Sequence, residues 1–268
     1  MEEAMALEIT PLTGAIGAAV EGVRLREGLD DATLATLREA FLQYSTLVFR
    51  GQGLEPPAHA TFARHWGEPV VTAMLNPLPD ALGVVQITDV KKETTATEAW
   101  HYDATFEAAP PKISILSAVT IPVGGDTLWS NQYLAFERLS PDLRRVLETL
   151  RVRFRGIRLG RMMGIPEEEQ PEAVHPLVRT HPETGRKALY VGHLENSCIE
   201  GWTREESDPL MNFLYTQSVT PDNVYRHSWQ PGDLVMWDNR CTMHYAVHDY
   251  GDQPRALNRI TLHGTVPV

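Results

Sequence analysis

The stretch WHYDATF, Trp100 to Phe106, sets His101 and Asp103 one residue apart. Alternate residues of an extended segment project to the same side, so an imidazole and a carboxylate at i and i+2 can reach one cation. The plain alternative is a buried polar pair bonded internally, and a chain with 10 histidines and 35 acidic residues has many chances to form one. A metal site needs a third ligand. WDNRCTMHYAVHDY supplies His244, just after the strand-like GDLVMWD and a turn at Asp238-Asn239, with His248 as the local rival. Two imidazoles and one carboxylate on one face of a metal leave three positions open. That arrangement suits Fe(II) taking up a cosubstrate and O2 together.

Beyond His244, RALNR places Arg255 and Arg259 four residues apart, on one face of a continuous strand. Two inward guanidiniums carry a large desolvation cost unless anions pair with them, and a dicarboxylate cosubstrate meets that need. The plain reading is a solvated pair on an edge strand.

The elements that must position these groups read as mainly β. Ile9 and Leu12, a turn at Gly14 and Gly17, then Val20 and Val23 suggest two short strands. Asp30 or Asp31 caps a helix carrying Leu34, Leu37, Phe41 and Leu42, and a second helix spans about Pro56 to Trp66. Strands are expected at Ser45 to Gly51, Gly83 to Val90, KISILSAVTIP, GDLVMWD and ALNRITLHG, with helices at Ser140 to Leu150 and Thr203 to Gln217. The last of these starts with a Thr203/Glu206 capping-box pattern. Many short strands with few helices favour an antiparallel β core packed by helices, and no phosphate-binding glycine motif is present.

At 268 residues and 43% hydrophobic the chain has enough apolar matter for one domain, 1-268. Its net charge of -11 argues against a nucleic-acid partner or an anionic lipid surface. No apolar run of about 18 residues occurs, so no membrane span is expected. Cys198 and Cys241 are expected as free thiols, and the acidic MEEAMALEITPL lacks a basic export signal, so a cytoplasmic location is expected.

Taken together, WHYD, GGDT, WDNRCTMH and RALNR resemble the taurine dioxygenase/aryloxyacetate dioxygenase (TauD/TfdA-like) family of Fe(II)/2-oxoglutarate-dependent oxygenases, over nearly the whole chain. The resemblance implies a double-stranded β-helix (jelly-roll) core flanked by helices. It puts Fe(II) on His101, Asp103 and His244, and the distal carboxylate of 2-oxoglutarate on Thr127 and Arg255. Arg259 would contact either the substrate's acidic group or the cosubstrate, and Ala104, Phe106 and Tyr102 would line the substrate pocket. The implied reaction consumes O2, releases succinate and CO2, and hydroxylates a C–H bond of a small organic anion of the aryloxyalkanoate, sulfonate or sulfate-ester type. Cleavage of the adjacent C–O or C–S bond can follow. Relatives form dimers or tetramers, so a homo-oligomer is expected.

One departure bears on substrate. Sulfonate-binding relatives are histidine-rich after the Gly-Glu matching Gly67-Glu68, whereas this chain reads GEPVVTAML, so a taurine-type clamp is incomplete. An amino-acid-like or natural-product substrate stays open. So do two other classes, a zinc hydrolase using the same three ligands and a non-catalytic β-barrel binding a small anion. Loops near Val70 to Asp80 and Ile157 to Gln170 are expected to shape the pocket.

Overall fold

The run LVMW is apolar throughout and TLVF at every position but Thr46, which suits strands covered on both faces rather than one. The computed structural model describes residues 6–71, 77–79, 81, 83–88 and 99–268, and in it both runs become central strands buried at every position. The first half of the chain forms β1 (Glu8–Pro11), β2 (Ala18–Glu21), α1 (Asp31–Tyr44), β3 (Thr46–Phe49), α2 (Pro56–Arg64), β4 (Val85–Thr88), β5 (Ile113–Thr120) and β6 (Thr127–Asn131). Helices α3 (Gln132–Glu137) and α4 (Pro141–Leu147) follow, then β7 (Arg151–Arg155), α5 (Ile157–Met163), β8 (Glu172–Pro176), β9 (Val178–Thr180), β10 (Lys187–Leu189) and β11 (Ser197–Ile199). The chain continues through α6 (Arg204–Gln217), β12 (Val224–His227), β13 (Leu234–Asp238), β14 (Thr242–Ala246) and β15 (Ala256–Leu262).

Among the described residues the largest sheet runs β1-β2-β3-β13-β5-β15-β4, antiparallel except where β2 meets β3. A second sheet runs β12-β6-β14. Side-chain alternation divides the core between them. Val48, Val235 and Trp237 turn inward and pack with Trp129 of β6 and Tyr225 of β12, filling the space between the sheets. Their neighbours Leu47, Phe49, Leu234 and Met236 turn outward, against Leu37 and Phe41 of α1 and Phe62 of α2. The result is mainly β, a jelly-roll core with helices on one outer face. The smaller sheets β11-β7-β8 and β10-β9 form a second layer with α3 and α6.

Expected elements mostly appear with shorter bounds. Ser140 caps α4, and Thr203 and Glu206 close the capping box of α6. Strand β4 occupies Val85–Thr88 of the expected Gly83 to Val90, whose last two residues lie outside the described ones, as does part of Val70 to Asp80. Ile157 to Gln170 is not a plain loop, because α5 occupies its first half and a 3-10 turn at Glu167–Glu169 follows. Three glycines hid this helix: Gly156 precedes it, Gly164 ends it in the left-handed region, and Gly160 leaves room for Gln170, which a Cβ there would meet at 2.6 Å. Both cysteines are free, and no helix of the described residues is long and apolar enough to cross a membrane.

One buried polar residue of α2 has a measurable cost. His59 is fully buried, neither ring nitrogen has a hydrogen-bond partner, and burial lowers its pKa from 6.5 to about 3. The unfolded chain therefore binds a proton that the folded chain refuses, and stability falls as pH drops from 6.5 toward about 3. We expect His59→Leu to remove up to about 1.4 kcal/mol per pH unit from that slope, read as a flatter curve of Tm against pH in the acid range. An unchanged slope would show that His59 is not the group being charged.

Candidate metal centre

Asp103 lies between β4 and β5, and the backbone of His101 is fixed by an isolated antiparallel bridge to His244 on β14. The His101 N–H donates to the His244 carbonyl at 3.0 Å, and the His244 N–H donates back to the His101 carbonyl at 2.9 Å. This reciprocal pair brings the two imidazoles to 4.1 Å between ring centroids. Asp103 completes the group. Its Oδ1 is 3.7 Å from His244 Nε2, and one ligand atom from each of the three residues lies within 4.8 Å of the others.

Hydrogen bonds around the three groups decide which atoms face the centre. The His101 Nδ1–H donates to the Ala99 carbonyl at 2.7 Å, so Nε2 carries the free lone pair. Asp103 Oδ2 accepts from the Ser114 hydroxyl at 2.6 Å and from Asn239 Nδ2 at 3.1 Å, leaving Oδ1 for a cation. Asn239 also donates to Ser114 at 2.9 Å, closing the triangle. The His244 ring is seated by contact, 4.8 Å from the Trp237 ring. Such outer partners orient ligands and raise their basicity.

Charge states agree with a cation-binding role. Burial pushes His244 down to about 3, and the neighbouring His101 adds to this while Asp103 opposes it. His101 is also lowered, first by burial, against the opposing pull of Asp103 and the Ala99 carbonyl, with Arg259 and Arg158 adding to the shift. Burial alone would raise Asp103, but His244, Arg259, His101 and the Ser114 hydroxyl outweigh it and hold the carboxyl well below the usual range. The site thus presents two neutral imidazoles and a carboxylate, the protonation states that metal ligation requires. The donor set and its spacing fit one first-row divalent cation bound on one face.

The arginines separate in depth. Arg259, in β15, is close enough to bear on all three ligands. Arg255 precedes that strand, where β15 and β5 shift register at Ala256/Leu257, and is buried farther along the barrel. Its Nη2 donates to the Gly125 carbonyl at 3.2 Å, two residues before Thr127. Thr127 is buried at the start of β6, its hydroxyl accepting from Trp229 Nε1 at 3.0 Å.

The tail of the motif turns sharply. Ala104 takes φ +44°, a left-handed conformation that costs a non-glycine residue on the order of 1 kcal/mol. His175 pins the turn, its Nε2–H shared between the carbonyls of Thr105 at 2.9 Å and Glu107 at 3.0 Å. Phe106 lies against Gly156 at the start of α5. Tyr102 is buried in the second core, where its hydroxyl donates to the Leu189 carbonyl and its ring meets Tyr190 edge-on at 4.6 Å. His248 is not among the converging ligands. Sequence reasoning missed Ser114 and His175, used Asn239 only as a turn residue, and passed over Arg158, whose one signal was its place in a segment expected near the pocket.

The profile of the family described as "Taurine catabolism dioxygenase TauD, TfdA family" matches residues 8–261. The chain belongs to this family. Similar proteins include an alkylsulfatase of Acinetobacter baylyi, 38% identical over 275 residues, covering 97% of this chain and 86% of the relative. An alpha-ketoglutarate-dependent sulfate ester dioxygenase of Pseudomonas putida is 35% identical over 280 residues, covering 99% and 92%. A taurine dioxygenase crystal structure from Burkholderia xenovorans superimposes with a TM-score of 0.86 at 36% identity, covering 98% of this chain and 92% of that one. This TauD/TfdA member is a 2-oxoglutarate-dependent dioxygenase, an oxidoreductase. That activity excludes the zinc-hydrolase and non-catalytic readings.

In this TauD/TfdA member, Ser114→Ala should weaken divalent-metal binding about tenfold by removing the shorter of the two hydrogen bonds that hold Asp103 Oδ2, with little change in Tm. Metal titration of the purified protein checks it, and wild-type affinity in the variant would show that the hydroxyl does not orient the carboxylate.

Proposed function

We propose that the chain hydroxylates the carbon next to the ester oxygen of a small sulfate ester, with Fe(II) held by His101, Asp103 and His244. The single observation that carries the metal assignment is the convergence of these three ligand atoms, with Asp103 Oδ2 and His101 Nδ1 already engaged elsewhere. Bound iron, 2-oxoglutarate and O2 together supply one oxidation, in which 2-oxoglutarate becomes succinate and CO2 and a substrate C–H becomes C–OH. A hydroxylated carbon that also bears a sulfate oxygen collapses to an aldehyde and releases sulfate.

The chain's own residues bind, orient and shield. Arg255, a guanidinium buried to 6% exposure, pairs with the distal carboxylate of 2-oxoglutarate and Thr127 donates its hydroxyl to the same group. Arg259, nearer the ligands, receives the sulfate. Phe106 and the turn at Ala104 flank the reacting carbon, and Phe106 with α5 keeps water from that side. The sulfate-ester choice over taurine is supported by the GEPVV sequence after Gly67 and by the names of the relatives that are 38% and 35% identical. Aryloxyalkanoates present a carboxylate to the same arginine and are the second class to test.

The experiment is anaerobic titration of the Fe(II)/2-oxoglutarate protein with alkyl sulfates, alkyl sulfonates and aryloxyalkanoates, followed by succinate and sulfate assays in air. We expect alkyl sulfates to perturb the metal-to-ligand absorption band and to yield equal amounts of succinate and sulfate. Turnover of aryloxyalkanoates alone would overturn the substrate choice. His101→Ala should abolish substrate-dependent succinate formation, and an unchanged rate would remove the ligand assignment. Arg255→Ala should raise the 2-oxoglutarate requirement by about tenfold or more with little effect on the iron requirement, whereas equal effects on both would argue against a grip on the cosubstrate.

A further inference from the structure

The loop between β14 and β15 folds back on the Gly124-Gly125-Asp126 turn that leads into β6. Gly124 and Gly125 sit at φ +88° and +72°, where a side chain is disfavoured. They also lack space: a Cβ on Gly124 would lie 2.5 Å from Asp249 Oδ1, and one on Gly125 would lie 3.0 Å from the Tyr250 ring and 3.1 Å from Arg255 Nε. The close approach has a bonded purpose. Asp249 Oδ1 accepts from the Gly125 N–H at 2.8 Å, while the carbonyl of the same glycine accepts from Arg255 Nη2 at 3.2 Å. One peptide unit on each side of Gly125 is therefore tied to the 249–255 loop.

Arg226 on β12 locks this arrangement from outside. Its Nε donates to Asp126 Oδ2 at 2.5 Å, and its Nη2 lies 3.8 Å from Asp249 Oδ2. The Asp126 carbonyl accepts from the Val247 N–H at 2.9 Å, and Asp126 is followed directly by Thr127. Two acidic side chains and one guanidinium thus fix the turn relative to both Thr127 and Arg255.

We propose that Asp249, braced by Arg226, is a positioning residue for 2-oxoglutarate, setting the spacing between Arg255 and Thr127 without touching the cosubstrate. This rests on the reading that these two residues hold its distal carboxylate. Asp249 is half exposed and its ion pair with Arg226 is long, so its effect comes through the oxygen that accepts from the Gly125 amide more than through the surface pair.

The test uses the purified full chain. In Asp249→Ala the KM for 2-oxoglutarate should rise about tenfold, with kcat at saturating 2-oxoglutarate and the KM for the primary substrate little changed. Asp249→Asn keeps an oxygen acceptor for the Gly125 amide and should recover most of the loss. Calorimetric titration of 2-oxoglutarate into the Mn(II)-loaded protein under nitrogen should show the same order of affinities without turnover, and amide exchange over 121–127 should quicken in Asp249→Ala. If Arg255→Ala weakens 2-oxoglutarate binding while Asp249→Ala leaves it at the wild-type value, the brace is overturned and the cosubstrate reading stands. Equal weakening of 2-oxoglutarate and Mn(II) in Asp249→Ala would also overturn it, since the defect would then be general. If Arg255→Ala itself leaves 2-oxoglutarate affinity unchanged, both the reading and the proposal built on it fall.

Discussion

Everything at the centre depends on two backbone hydrogen bonds. The bridge between His101 and His244 is a single antiparallel pair outside any continuous ladder, yet it sets two candidate ligands side by side from positions about 140 residues apart. The backbone does the joining, so the imidazoles need no contact of their own to be kept together. Mutual repulsion on protonation is met by burial, which holds both rings neutral. The third ligand arrives by different means. Asp103 follows in the same extended segment, and Ser114 on β5 and Asn239 after β13 take one of its oxygens. Adjacent strands of the large sheet thus aim the carboxylate, while the β12-β6-β14 sheet supplies His244.

The strands that support this arrangement are buried on both faces, which explains how they can be so apolar and still carry a polar centre. Trp237 points inward to the His244 ring, and its neighbour Met236 points outward to the helices. Polar groups then appear where strands begin or end, at Asn239 after β13 and at Thr127, the first residue of β6, as expected where a rigid sheet hands over to loops. Cations are graded along the interior, Arg259 beside the ligands and Arg255 beside Gly125.

Much of this was legible in the residues. The β-branched and aromatic run around TLVF announced a buried strand, capping residues marked α1 and α6, and the order of His101, Asp103, His244 and Arg255 carried the family resemblance. Tyr102 lies in the second core because the same alternation that pairs His101 with Asp103 sends the residue between them to the opposite side. Helix α5 was hidden because glycines that permit close packing also erase helical propensity. Ser114, His175 and Asp249 were beyond reach for another reason. Each acts on a segment distant in sequence, through a bond that neither partner's local pattern encodes.

The left-handed turn at Ala104 has an effect beyond the angle itself. An extended chain continuing past Asp103 would carry its next side chains along the strand direction. The turn instead carries the following residues out of that line, and His175 on β8 staples them there. The segment that carries two candidate ligands therefore ends on a fastened corner: Phe106 meets the surface at Gly156 from a backbone already tied down on one side by the His101 bridge and on the other by the carbonyls of Thr105 and Glu107.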